Sequence, residues 1–268
     1  MDAPTRRRLA KAIAAVAEAH EEKLAALRAN AVDARRRDFI WHYLLQSYST
    51  WGSARGYEGL MKNPANYAAV AYDLLRGKPP SRRIPAIERV MRRAKVRAPH
   101  VKAELLSKAV DVIAALGGPE AATTALWEQK GAAAKLRFLK QLPGVGAKYA
   151  RNIMMDVYDQ DFRASIAVDA RILGFARDAG LQTAGLGALE VELLKIADMA
   201  GLDGWTVDRV LYWWADEVRA ELNLPSSGGA TAKVEALVDA IIAAAPGLKA
   251  ERQAVESAVR RFKGCRIT

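Results

Sequence analysis

Lys148 and Asp169 are the two residues whose chemistry the surrounding chain looks built to position. Lys148 stands two places after the last glycine of Leu142-Pro143-Gly144-Val145-Gly146, and Asp169 closes the run Ile166-Ala167-Val168-Asp169. A lysine amine, once neutral, attacks an electrophilic carbon and forms a Schiff base. A carboxylate beside it can take the amine's proton, or stabilise positive charge that builds on the reacting carbon. An ordinary lysine, with a pKa of about 10.4, is mostly protonated near neutrality. Partial burial with neighbouring cations, or proton transfer to Asp169, are the two ways to free its electron pair.

The elements that must hold these residues are legible around them. An apolar helical segment runs from Ala134 to Leu142, and another from Ala147 to about Tyr158. Between them Pro143-Gly144-Val145-Gly146 is too short for anything but a tight hairpin. Glycines permit positive φ and a close approach of backbone to a partner. The second helix then begins with free amide N–H groups, which suit a phosphate. Gly144, Val145 and Gly146 are therefore the candidate backbone-binding residues, with Lys135 and Lys140 adding charge from the first arm. Two helices joined this way grip a DNA backbone without reading its sequence. Asp169 is expected at the start of a further helix, Ala170 to Ala179, where the dipole favours its ionised form.

The hairpin, the lysine after it and the Ile166-Ala167-Val168-Asp169-Ala170-Arg171-Ile172 stretch occur in an order that resembles the HhH-GPD superfamily of base-excision DNA glycosylases. A lysine at the Lys148 position is similar to the members that also cleave the abasic site, such as endonuclease III and the 8-oxoguanine glycosylases. The resemblance implies an all-α, two-lobed helix-hairpin-helix glycosylase fold with DNA in the cleft. It implies Lys148 as nucleophile and Asp169 as the acid that stabilises the sugar cation. The implied lobes are a six-helix barrel over residues 61–165, carrying the hairpin at 134–158, and a second lobe from residues 1–60 and 166–268.

Composition limits the alternatives. The chain has 268 residues with 51% hydrophobic content, enough for a substantial core. Lys plus Arg number 41 against 30 Asp plus Glu, a formal net charge of +11, which suits a polyanionic partner such as nucleic acid. A single cysteine, Cys265, excludes a disulfide within the chain and a Cys-ligated zinc or iron–sulfur site. This departs from endonuclease III, which carries a four-cysteine cluster. His20, His42 and His100 lie far apart and show no metal spacing, so no metal and no cofactor are expected. Neither a signal peptide nor a membrane-spanning run is visible. The expectation is a cytoplasmic monomer acting on damaged double-stranded DNA, nucleoid-associated in a prokaryote.

The remainder reads as helices. Residues 5–36 form one or two, capped by Asp2 or Thr5. Asp38 to Tyr48 is apolar and aromatic, and ends in Gln46-Ser47-Tyr48-Ser49-Thr50-Trp51. In the glycosylases the corresponding loop pushes a side chain into the duplex, so Tyr48 and Gln46 are the candidate wedge, while Trp51 reads as core. Residues 82–97 make a basic amphipathic helix, and Val207 to Leu222 a continuous one. On it Asp208 and Tyr212 stand four apart on one face, similar to the acid and aromatic that line the base pocket of archaeal 8-oxoguanine glycosylases. With Asn152 they are the candidate base pocket, against a reading of Asp208 as a helix cap and Tyr212 as core. Residues 225–229 read as a linker, and 232–262 as two further helices. Arg261-Phe262-Lys263-Gly264-Cys265-Arg266 faintly resembles the C-terminus of one archaeal group. The preferred substrate is oxidised guanine, with oxidised pyrimidines, alkylated bases and mismatches as alternatives. A rival of another class is a non-catalytic helix-hairpin-helix DNA-binding protein.

Overall fold

A computed structural model describes residues 2–50, 54–181 and 184–226, and among them there are helices and turns and no β-strand. Trp51, the 232–262 helices, Cys265 and the Arg261–Arg266 stretch lie outside the described residues.

The first helix, α1 (Ala3–Ala19), starts on Asp2, whose side chain accepts the Thr5 N–H. It buries Leu9, Ile13, Val16 and Ala17 at the expected helical spacing. Next come α2 (Glu21–Ala29), a 3-10 turn (Asn30–Arg35) and α3 (Phe39–Thr50). α3 is apolar nearly all round because it is enclosed, with Phe39, Ile40, Trp41, Leu44 and Leu45 all buried. Three short helices follow: α4 (Ala54–Leu60), α5 (Pro64–Ala69) and α6 (Tyr72–Arg76). The basic helix is α7 (Pro80–Arg93), packed on α8 (Pro99–Ala115). Its charge divides. Arg83 is buried, donating to Ser107 at 2.9 Å and pairing with Asp111 at 2.6 Å, whereas Arg82, Arg89, Arg92 and Arg93 are exposed.

Then come α9 (Pro119–Trp127), α10 (Gly131–Leu139) and α11 (Ala147–Asp156), the last two being the arms of the hairpin. The chain continues through a 3-10 turn (Gln160–Phe162) to α12 (Ala170–Asp178) and α13 (Leu186–Ala200). The expected continuous helix at 207–222 is two, α14 (Gly204–Trp213) and α15 (Ala215–Glu221). The break is at Trp214 (φ −128°, ψ 27°), whose indole leaves the helical path to stack on His20 at 4.2 Å. No described helix is long and apolar enough to cross a membrane.

The packing forms two groups. α1 packs on α13, α14 and α15, and α12 packs on α14 and α15, so the N-terminus joins the C-terminal half. The middle helices pack among themselves. α3 and α4 belong to this middle group, because the aromatic face of α3 finds its partners there. Phe39 meets Trp127 at 5.0 Å, and the Trp41 indole donates to the Val70 carbonyl at 3.2 Å. α3 also contacts the 3-10 turn that precedes it.

Candidate active site at the hairpin

The hairpin is braced from the side opposite its free amides. Gly144 sits at φ 74°, the left-handed region that favours glycine, and a Cβ there would come within 2.9 Å of Leu105 Cδ1 and 3.3 Å of Tyr48 Cε1. Tyr48 is buried and its hydroxyl donates to the Pro143 carbonyl, while the buried Lys102 amine donates to the Tyr48 carbonyl. Burial lowers the Lys102 amine to about 8, and Arg97 adds to the effect. Val145 turns its side chain inward, and its N–H closes the turn on the Leu142 carbonyl at 3.1 Å. Gly144 and Gly146 remain exposed. Gly146 is the N-cap of α11, whose first turn takes no side-chain cap, so these amides face outward as the partial positive end of a helix.

Lys148 and Asp169 meet in front of that helix end. Lys148 Nζ lies 3.6 Å from Asp169 Oδ2, with the lysine side chain 48% exposed and the aspartate 11%. The two carboxylate oxygens divide their work. Oδ1 caps α12, accepting the Arg171 N–H at 2.9 Å and the Ile172 N–H at 3.0 Å, and Oδ2 is left toward the lysine. The cap fixes the carboxylate's orientation, so Oδ2 stays turned to the side from which the lysine reaches it.

The extended segment leading to Asp169 is held by side chains from three other helices. Arg151 on α11 donates to the Ile166 carbonyl at 3.0 Å and pairs with Glu190 on α13 at 2.9 Å. Glu190 in turn accepts the Ile166 N–H at 3.2 Å. Asp208 on α14 accepts the Ala167 N–H at 2.7 Å. Sequence reasoning missed Arg151 and Glu190 in this role. Nothing in the local pattern separates them from ordinary charged residues on a solvated helix face.

Asp208 is thus enclosed: it is 2% exposed and bound to backbone, so it does not line an open base pocket as expected. Nor does it cap α14, since Asp203 does, accepting the Thr206 N–H. Burial pushes its carboxyl up to about 6 from 3.8, against the pull of Arg209 and the Ala167 N–H, with Asp169 and Asp156 adding to the rise. Between about pH 4 and 6 the folded protein therefore holds a proton that the unfolded chain has released. The associated stability is full below about pH 4 and is lost as pH rises through about 6. Asp208→Asn keeps an acceptor for Ala167 and cannot ionise. It is expected to gain on the wild type by about 3 kcal/mol between pH 4 and pH 7. The check is the difference in urea unfolding free energy, and a difference that does not move with pH contradicts it.

Other expected site residues are corrected. Lys135 is buried, pairs with Asp159 at 2.7 Å and Asp161 at 2.8 Å, and so has no charge left over for a DNA backbone. Lys140, the C-cap of α10, is exposed. Tyr48 is not a wedge but the brace of the hairpin, because its ring is enclosed beside Gly144. Gln46 is likewise committed, donating to Asp156 at 2.8 Å. Asn152 is half-buried on the same face of α11 as Lys148. Tyr212 is half-buried too, under the Arg171 guanidinium at 4.6 Å and edge-on to Trp213 at 5.0 Å. Trp213 is largely exposed, and with Trp214, Lys23, Ala26, Leu27 and Asn30 it lines an open cleft of about 400 Å³. That cleft takes no lining from Lys148, Asp169 or Asp208. Among the described residues no group of three or more His, Cys, Asp or Glu side chains is placed to hold a metal ion.

No family model matches the chain, and no curated protein sequence does. Among solved structures it is similar to the 8-oxoguanine DNA glycosylase of Thermotoga maritima, at 16% identity and a TM-score of 0.53, over 76% of this chain and 96% of that one. The chain shares the all-α fold of that structure.

Proposed function

We propose that this chain is a DNA glycosylase and abasic-site lyase that removes a damaged base from double-stranded DNA. The observation that carries the reading is Lys148 Nζ at 3.6 Å from Asp169 Oδ2, in front of an uncapped helix N-terminus. The outward amides of Gly144, Gly146 and the first turn of α11, with Lys140, hold a backbone phosphate beside the pair. The target nucleotide leaves the stack and comes to lie beside the Lys148–Asp169 pair. Positive charge grows on the sugar as the C1′–N bond breaks, and the Asp169 carboxylate stabilises it. The neutral Lys148 amine bonds to C1′ and gives up a proton to Asp169; the C1′–O4′ bond then breaks, O4′ takes a proton as the sugar ring opens, and nitrogen and C1′ are left as a Schiff base. Loss of a C2′ proton then breaks the C3′–O bond and nicks the strand. Amine and carboxylate supply the whole of this chemistry from one copy of the chain. Tyr212, flanked by Arg171, offers a ring face toward the base.

Oxidised guanine is the favoured substrate, supported by the fold shared with an enzyme named for 8-oxoguanine. The test is a panel of duplexes, each with one lesion (8-oxoguanine, an oxidised pyrimidine, an alkylated purine or a mismatch), assayed with and without hot alkali. Cleavage of the 8-oxoguanine duplex without alkali is the expected result. Cleavage only after alkali removes the lyase step, and binding with no cleavage of any duplex leaves a non-catalytic DNA-binding protein.

A further inference from the structure

α11 sets Lys148, Asn152 and Asp156 four residues apart, on one face. Lys148 is exposed, Asn152 is half-buried, and Asp156 lies in the last turn. The Asp156 side chain is 31% exposed, so solvent reaches it. Its surroundings are nevertheless dense enough that burial pushes its carboxyl upward, outweighing Arg209 and Gln46, which pull it down. Two other elements fix its orientation. From α3, Gln46 Nε2 donates to Oδ2 at 2.8 Å, and from α14, Arg209 Nη2 donates to Oδ1 at 3.0 Å. Arg209 is itself held against Asp208 at 3.6 Å. Each carboxylate oxygen can accept a second hydrogen bond.

We propose that Asp156, oriented by Gln46 and Arg209 where α11, α3 and α14 meet, reads the paired N–H donors of a guanine-type base. The inference rests on the glycosylase reading above and adds to it the residue that selects the base. Eight residues of α-helix rise about 12 Å, which accommodates a purine from C1′ near Lys148 to its far edge, with a contact at each end. A carboxylate presents two acceptors side by side. They match the ring N1–H and exocyclic N2–H of guanine and of its 8-oxo form, which keeps both. Adenine and cytosine offer a ring-nitrogen acceptor at the equivalent edge, and thymine flanks its single N–H with carbonyls. All three leave an acceptor facing the carboxylate, an unpaired arrangement that is penalised once the base displaces water from it.

The test compares single-turnover base excision from an 8-oxoguanine duplex with strand cleavage at a preformed abasic site, which has no base to read. In Asp156→Asn the ratio of the first rate to the second is expected to fall about 10- to 100-fold, the discrimination of one bidentate contact. Gln46→Leu, which leaves the carboxylate in place but less firmly oriented, lowers the same ratio by less. An unchanged ratio in Asp156→Asn overturns the assignment. So does loss of both activities in Asp156→Asn with an unchanged ratio in Gln46→Leu, which marks the network as structural. A wild-type protein inert on both substrates overturns the glycosylase reading, and this inference with it.

Discussion

Lys148→Ala abolishes the covalent adduct that borohydride traps on abasic-site DNA, and strand cleavage falls to the uncatalysed background. The expectation follows from the role of the amine, since removing the amine positioned beside Asp169 removes the group that forms the Schiff base. Lys148 is nearly half exposed and its ion pair with Asp169, at 3.6 Å, is long, so its truncation has little effect on folding. Phosphate binding persists, because the hairpin amides are backbone groups. A gel-shift titration and a trapping assay on the same protein separate the two effects. Trapping that survives in Lys148→Ala moves the nucleophile elsewhere. Loss of DNA binding in parallel with trapping reduces Lys148 to a phosphate contact.

Asp169→Asn is expected to slow base excision by about 10²–10³-fold, the scale on which one positioned electrostatic group stabilises a transition state. The substitution is clean for a structural reason. Oδ1 caps α12 through the Arg171 and Ile172 amides, and asparagine caps as well as aspartate does. The helix, and the backbone preceding it, therefore stay where they are while the charge facing Lys148 is lost. DNA affinity should be retained, and thermal unfolding should shift little. Single-turnover excision with the protein in excess measures the step directly. Excision at the wild-type rate removes Asp169 from the chemistry and leaves it as a cap alone.

Much of this was legible in the chain itself. Pro143-Gly144-Val145-Gly146 allows no conformation but a tight turn, and the apolar periodicities on either side make both arms helical, so the hairpin and the place of Lys148 follow from local rules. The same holds for Asp169, which a helix start welcomes, and for the all-α class, since the apolar spacings are helical throughout. These features depend on residues close together in sequence, where propensity and period decide.

What failed to be legible depends on partners far away in the chain. Lys135 has the sequence context of a surface cation, yet Asp159 and Asp161 turn it inward. Tyr48 and Gln46 stand where a wedge would, yet Pro143 and Asp156, about a hundred residues on, engage them. Asp208 shares a helix face with Tyr212, but only the approach of Ala167 shows that it holds backbone and not a ligand. Arg151 and Glu190 carry no local signature at all. Local sequence determined which groups can react. Tertiary packing decided which of the remaining charges are spent inside the protein and which face solvent, because a charge's role is set by the partner that reaches it first.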